Sequence, residues 1–349
     1  MGLFGFESIW LDVVLLVVSL AFLAFFSMRF IRVLNTLSLY GRVPKFLLSF
    51  IVLGFGASLP DLFIAGFSSV QGQLPLVVGA VIGSNVILLT VVLGVITVLK
   101  GSFKVREKTV LENFGWLFFV IVIPFFFLID GRLTFTEGVI LVIVYFMYLY
   151  NIHSEVRSFK ASGVQTELLL GDNQDLFWEH HSRPYYRKSV LREAGKALVI
   201  LAVLLVSAHF VVAYSMSVSS ALGIPEVLIG LTIVAIGITL PELILDLSAL
   251  RAKEEEVIWG DLIGSFVTEL TLVLGVAALF TSPDNGVFSF ADSIVGYLFM
   301  AISFAIVFFF AYSKKELNRA QGLALIFLYL VFLSIQLDLI AFNGLPISF

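Results

Sequence analysis

Two carboxylates lie deep inside apolar stretches of this chain, Asp61 within residues 44–70 and Glu242 within 225–250. A charge at such depth in hydrocarbon costs several kcal/mol unless it is paired, solvated or neutralised. Neither acid is near enough to the end of its stretch to reach water along its own side chain. Bare carboxylates brought together repel one another unless a cation lies between them. The hydroxyls of Ser58, Thr239, Ser84 and Ser265 occur nearby in sequence, so the available ligand set is all oxygen, with no soft donor. Such a set suits a hard cation: Ca²⁺, which takes roughly 6 to 8 oxygens at about 2.3–2.6 Å, or Na⁺. Each hydroxyl taken alone serves equally well as packing glue between helices.

The two acids belong to an internal duplication. An offset of 181 residues carries Asp61 onto Glu242, and with it Gly56-Ala57-Ser58-Leu59-Pro60-Asp61-Leu62 onto Gly237-Ile238-Thr239-Leu240-Pro241-Glu242-Leu243. The same offset, without a gap, places Gly79, Ile82, Gly83, Ser84 and Val86 over Gly260, Ile263, Gly264, Ser265 and Val267. Thr90, Leu93 and Gly94 fall over Thr271, Leu274 and Gly275. Chance likeness between apolar helices yields Leu, Ile and Val; these matches include Gly, Pro, Ser, Thr and a carboxylate. Pro60 and Pro241 each remove a backbone donor, which frees a carbonyl near Gly56 and Gly237, beside the acids.

The elements that must position these residues are membrane spans. The chain has 349 residues, 60% hydrophobic and 13% charged, with a mean hydropathy of +1.06. About 20 apolar residues cross a bilayer core of about 30 Å, so the length accommodates about ten spans. Apolar runs fall at residues 11–28, 44–70, 74–99, 114–129 and 133–150, then at 196–214, 225–250, 257–280, 288–312 and 320–341. The expected architecture is an all-α membrane protein of ten transmembrane helices, arranged as two five-helix repeats, residues 1–150 and 194–349. Residues 151–193 form the connecting loop. Its His180 and His181 offer too few ligands for a metal site. The first ten residues contain no Lys or Arg, unlike a secretory leader, so the first run is read as a retained span.

Cationic residues gather on the cytoplasmic side of membrane proteins. Both termini outside and the central loop cytoplasmic is the orientation that puts all 21 Lys and Arg except Arg132 on that side. Five spans per half reverse the sense of the second copy, so the repeats are inverted. Inverted repeats meet near the bilayer midplane around a shared site built from interrupted helices. The absence of cysteine removes thiolate sites, and a net charge of −4 implies no nucleic-acid partner. The expected partners are the lipid bilayer and inorganic cations, with no cofactor.

The copies are unequal. Glu269 occupies the place of Leu88, and Asp246 that of Ala65. Glu269 lies one turn beyond Ser265 and could add a third carboxylate, while Asp246, one turn beyond Glu242, could line a cytoplasmic exit. Asp261 suits either helix capping or ion passage. Asn85 offers a side-chain oxygen or a contact to a neighbouring helix, and His209 reads as a satisfied buried imidazole. Gly79, Gly83, Gly260 and Gly264 form stripes that permit close helix approach.

The paired Gly-x-Ser/Thr-Leu-Pro-Asp/Glu and Gly-x-x-Ile-Gly-Ser segments resemble the two alpha repeats of the cation/calcium antiporter superfamily, most of all its sodium/calcium exchanger branch. The resemblance implies Asp61 and Glu242 as central ligands, with Ser58, Thr239 and the carbonyls of Ala57 and Ile238 beside them, and Ser84 and Ser265 as Na⁺ ligands. It also implies that the first and sixth helices slide to alternate access. The chain departs from that pattern at Asp61, usually Glu, at Ala57 and Ile238, usually hydroxyl residues, and at Leu88 and Glu269, where the exchangers carry Asn or Asp. A Glu facing Leu88 would have few polar neighbours, which favours H⁺ as counter-ion; the proton-coupled branch's Gly-Asn-Ala-x-Glu motif, however, is absent. The expected function is antiport of a divalent cation, Ca²⁺, against Na⁺, with a proton-coupled exchanger as the alternative. An intramembrane aspartyl protease would instead need two Asp in a Gly-x-Gly-Asp setting, and a channel would pass ions without a counter-gradient.

Overall fold

The computed structural model describes residues 4–40, 58–104, 114–161, 183–253, 255–282, 288–314 and 316–344. These form ten helical segments and one short strand pair. The helices are α1 (Phe4–Tyr40), α2 (Leu59–Val70), α3 (Leu74–Lys100), α4 (Phe114–Leu128), α5 (Phe135–Ala161), α6 (Arg183–Leu222), α7 (Glu226–Ala252), α8 (residues 255–280), α9 (Phe290–Lys314) and α10 (Arg319–Gly344). Seven are long and apolar enough to cross a membrane, and α2, α4 and the apolar part of α5 are shorter. The chain is an integral, multi-pass membrane protein. Helix α5 continues to Ala161 and α6 begins at Arg183, so the stretch at 151–193 is helical at both ends. Nothing in residues 151–161 breaks a helix, and Pro184 fits the first turn of α6, where its missing N–H is not needed.

Helices α3, α7 and α8 fill the centre. About 94% of the apolar window of α3 is enclosed by protein, against 22% for α1, whose Phe22 and Phe25 face outward with Leu198 and Val206 of α6. Glu242, Asp246, Asp261 and Glu269 are therefore carried on enclosed helices, and the outer ones meet lipid.

The 181-residue offset reappears in the backbone. Helix α3 starts at Leu74 and contains a π turn at Leu88–Val92; α8 starts at Glu255 and contains one at Glu269–Val273. Each number differs by 181. A third π turn, Gly230–Val234, interrupts α7, and its counterpart lies outside the described residues. Every one of the three has threonine at its centre, Thr90, Thr232 or Thr271, whose hydroxyl donates to the carbonyl four residues earlier, at 2.5–2.7 Å. That bond competes with the backbone N–H for the same acceptor and loosens the turn. It is not sufficient alone, because Thr97 makes the same bond inside regular helix.

Helix contacts follow the same exchange. Helix α3 packs on α10 as α8 packs on α5, and α6 packs on α2 as α1 packs on α7. Lipid gives no hydrophobic drive for helices to associate, so close approach of small residues carries the packing. At Gly94 and Gly322 an added Cβ would lie 2.8 Å from the other glycine's carbonyl oxygen, and at Gly138 and Gly275 the separations are 2.9 and 3.0 Å. Gly79 and Gly83 face the backbone of α7 at Val227 and Leu231 still more closely.

At the far end of α3, strand β1 (Ser102–Lys104) pairs antiparallel with β2 (Glu316–Asn318). Buried Phe103 stacks on Trp259 of α8 at 5.2 Å, and Lys100 pairs with Glu255.

A Gly138→Leu substitution must push α5 from α8. It is expected to cost about 1–3 kcal/mol, the usual range for overpacking, and to lower the melting temperature of the solubilised protein. Gly66→Ala, where a Cβ meets nothing within 4 Å, is expected to leave it unchanged or higher. Equal melting of wild type and Gly138→Leu would remove this seam as a determinant of the fold.

Candidate cation site

Asp61 is in the first turn of α2, directly after Pro60, and Glu242 follows Pro241 inside α7. Proline cannot donate to the carbonyl four residues back, so Gly237 keeps a free carbonyl beside Glu242. Helix α2 abuts the π turn of α8, and α7 abuts the π turn of α3. Each acid-bearing helix thus leans on the loosened turn of the opposite repeat.

Five carboxylates are buried in this region, none more than 5% exposed: Asp61, Glu242, Asp246, Asp261 and Glu269. No Lys, Arg or His among the described residues pairs with them. Asp61 Oδ1 and both oxygens of Glu242, Asp246 and Asp261 have no hydrogen-bond partner among the described residues. The charges act on one another: Asp61 with Glu242, Glu269 with both, and Asp246 with Asp261. Among the described residues no three Asp, Glu or His side chains converge as a ready-made metal cage. The acids are instead strung along α7 (Glu242, Asp246) and α8 (Asp261, Glu269) at four- and eight-residue spacing, hence on one face of each helix.

The expected ligands fall into three groups. Asp61 and Glu242 are near neighbours, and the Ser265 hydroxyl approaches Glu242 without completing a hydrogen bond. Thr239 is buried and donates its hydrogen to Ala235 at 2.6 Å, which leaves the oxygen lone pairs for a cation. Ile238 is buried one residue before it. Ser58 is fully buried at the start of α2, and its carbonyl accepts from Leu62 at 3.1 Å. Ala57 lies outside the described residues. The Ser84 hydroxyl donates to Glu269 Oε2.

Glu269 is better supplied with polar neighbours than a position opposite Leu88 would allow. The same Oε2 also accepts from the Asn85 amide at 2.8 Å, and that amide donates to the Val81 carbonyl at 2.7 Å. Because both acceptors fix the nitrogen, Asn85 Oδ1 faces the other way, buried and unpartnered. Glu269 Oε1 is likewise unpartnered. Ser84 and Asn85 of one repeat therefore hold the extra acid of the other, a contact that the offset alone does not reveal. Asn85 corresponds to Phe266, and that mismatch is the sequence signal for it.

One further position differs from expectation, and one was not singled out in the sequence. His209 is exposed on α6, edge-on to Phe67 and Phe210, rather than buried. Asp12, an acid within the first apolar run, accepts from Ser217 at 2.6 Å and ties the start of α1 to the end of α6.

Removing Asn85 leaves Glu269 with one donor. Asn85→Ala is expected to destabilise the protein by about 1–3 kcal/mol, the cost of an unsatisfied buried group. In a double-mutant cycle with Glu269→Gln the losses are expected to be non-additive by about 0.5–3 kcal/mol. Simple additivity in thermal melts would show that the pair does not interact.

A sequence model of the sodium/calcium exchanger protein family matches residues 11–152 and 194–337, which takes in α2, α3, α7 and α8. The sodium/calcium exchanger MaX1 of Methanosarcina acetivorans is 26% identical, covering 93% of this chain and 98% of that protein. The fold resembles the solved sodium-calcium exchanger NCX_Mj, with a TM-score of 0.60 at 23% identity over 93% of this chain and 99% of that one. It also resembles the H⁺/Ca²⁺ exchanger CAX, with a TM-score of 0.68 at 16% identity over 95% and 85%. The chain belongs to the sodium/calcium exchanger family of the cation/calcium antiporter superfamily, and is a membrane transporter rather than an enzyme.

Proposed function

We propose that the chain is a secondary active antiporter that exchanges Ca²⁺ for Na⁺ by alternating access, its ten spans forming two inverted five-helix repeats with both termini outside. The observation that carries this reading is the pair Asp61 and Glu242, buried at equivalent repeat positions with no cationic partner among the described residues. Two negative charges match one divalent cation. Ser58, Thr239, Ser265 and the carbonyls of Gly237 and Ile238 supply neutral oxygens around it, and Glu269 with Asn85 Oδ1 completes the set towards α3. MaX1, the 26% identical relative, is a sodium/calcium exchanger by name.

Exchange follows from the same charges. Closing both gates around two bare carboxylates would cost several kcal/mol for each, so the site crosses between its two orientations only when cations neutralise it. Ca²⁺ does so in one direction and Na⁺ in the other. Asp246 and Asp261 extend the acidic face toward the α7–α8 connection, which the charge distribution assigns to the cytoplasm, and give the cation a step between site and water.

A second reading, proton coupling, rests on Leu88. It brings no oxygen where its counterpart Glu269 brings a carboxyl, which removes one neutral ligand available to Na⁺ and leaves an acid that a proton could neutralise.

In proteoliposomes, wild type is expected to take up Ca²⁺ under an outward Na⁺ gradient. Glu242→Gln and Asp61→Asn are each expected to reduce uptake about tenfold or more, equivalent to about 1.4 kcal/mol. Uptake by Glu242→Gln equal to wild type would falsify the site. Uptake driven by a pH gradient without Na⁺, and lost in Glu269→Gln, would replace Na⁺ by H⁺ as the counter-ion.

A further inference from the structure

Helices α1 and α6 run antiparallel against each other, as the tie from Asp12 to Ser217 at one end and a groove at the other require. That groove has a volume of about 560 Å³ and lies between the last turns of the α1 span and the first turns of the α6 span. Arg29 and Arg32 come from α1, one turn apart, and Lys196 comes from α6; Phe26, Val33 and Val199 supply apolar wall. No acid lines it. Three cations in one groove repel one another, and a protein does not keep them together without an anion or water to screen them.

Their partners are few. Arg29 lies over the Phe25 ring at 4.6 Å, which leaves its charge uncancelled. Arg32 makes no side-chain hydrogen bond or ion pair among the described residues, while its backbone carbonyl accepts from Thr36. Lys196 pairs with Glu193 at 2.6 Å, a carboxylate that also lies 3.5 Å from Arg192. Among the described residues, one acid against four cations leaves a surplus of positive charge. Both helices face lipid along most of their length, and Val199 is among the exposed apolar side chains that continue from the groove.

We propose that the groove between α1 and α6 binds an anionic phospholipid, its phosphate against Arg29, Arg32 and Lys196 and its acyl chains on the apolar wall. The volume is within the roughly 300–1,000 Å³ of small-molecule sites, and guanidinium groups bind phosphate through paired donors. A basic pocket between spans at the point where the chain leaves the hydrocarbon is the arrangement that recognises acidic headgroups. A free phosphate would satisfy the cations yet leave the apolar wall uncovered, so the wall selects the lipid. Bound there, the headgroup bridges α1 to α6.

The test uses the full chain in neutral detergent, with mixed micelles of phosphatidylglycerol or phosphatidylcholine, or with inorganic phosphate. Phosphatidylglycerol is expected to raise the melting temperature by about 3 °C or more; phosphatidylcholine and phosphate are expected to add little. Arg32→Ala, which breaks no contact among the described residues, and Arg29→Ala/Arg32→Ala are expected to lose the increment. Arg29→Lys/Arg32→Lys is expected to keep part of it, and Arg319→Ala, outside the groove, all of it. Native mass spectrometry is expected to show one more phosphatidylglycerol retained by wild type than by Arg32→Ala. An equal increment and equal lipid retention in wild type and Arg32→Ala would overturn the proposal. So would an equal effect of phosphate, which would assign the groove to a soluble anion.

Discussion

The constraint on which the structure turns is the cost of a carboxylate without a counter-charge inside protein surrounded by lipid. Five such groups are enclosed at the centre of this chain, with no cationic side chain among the described residues to neutralise them. Everything around them reads as accommodation. The acids are on α7 and α8, two of the three most enclosed helices, and on α2, which packs against α8. Pro241 frees a carbonyl next to Glu242, and the Thr239 hydroxyl spends its hydrogen on backbone so that its oxygen stays available. The cluster makes sense when cations supply the missing charge.

Helix packing solves the companion problem of holding such a centre together. Apolar side chains gain little by leaving lipid for protein, so the seams are drawn by glycines that leave no room for a side chain against the partner helix's backbone. The seams come in pairs because the sequence does: α3 against α10 and α8 against α5 use the same chemistry at corresponding places. The π turns also come as a pair and meet the acid-bearing helix of the other repeat. A widened turn relaxes the backbone where a cation would demand oxygens, and packed glycines on either side keep that relaxation local.

Much of this was legible beforehand. The offset that aligns Asp61 with Glu242 also aligns the helix starts at Leu74 and Glu255, because Gly, Pro and hydroxyl residues leave a pattern that apolar drift cannot imitate. The π turns were not legible, since a central threonine accompanies regular helix as well. Nor was the grip of Ser84 and Asn85 on Glu269, because comparing a repeat with itself shows which residues correspond and not which ones touch. The helical ends of the 151–193 stretch were missed because composition marks where lipid ends, while helix hydrogen bonding continues until a residue breaks it.

The distribution of acids between the halves has one more consequence. Four of the five buried carboxylates belong to the second repeat, where the first has Ala65, Ala80 and Leu88 in place of Asp246, Asp261 and Glu269. A machine built from two equal halves would look the same from either side of the membrane. Under the proposed exchange, an ion approaching through the second repeat meets a series of four acids, and one approaching through the first meets Asp61 alone. The gradients alone fix where net transport stops. The half-saturating concentration on each face is free to differ, so under the proposed exchange unequal repeats let the two sides answer to different ion concentrations.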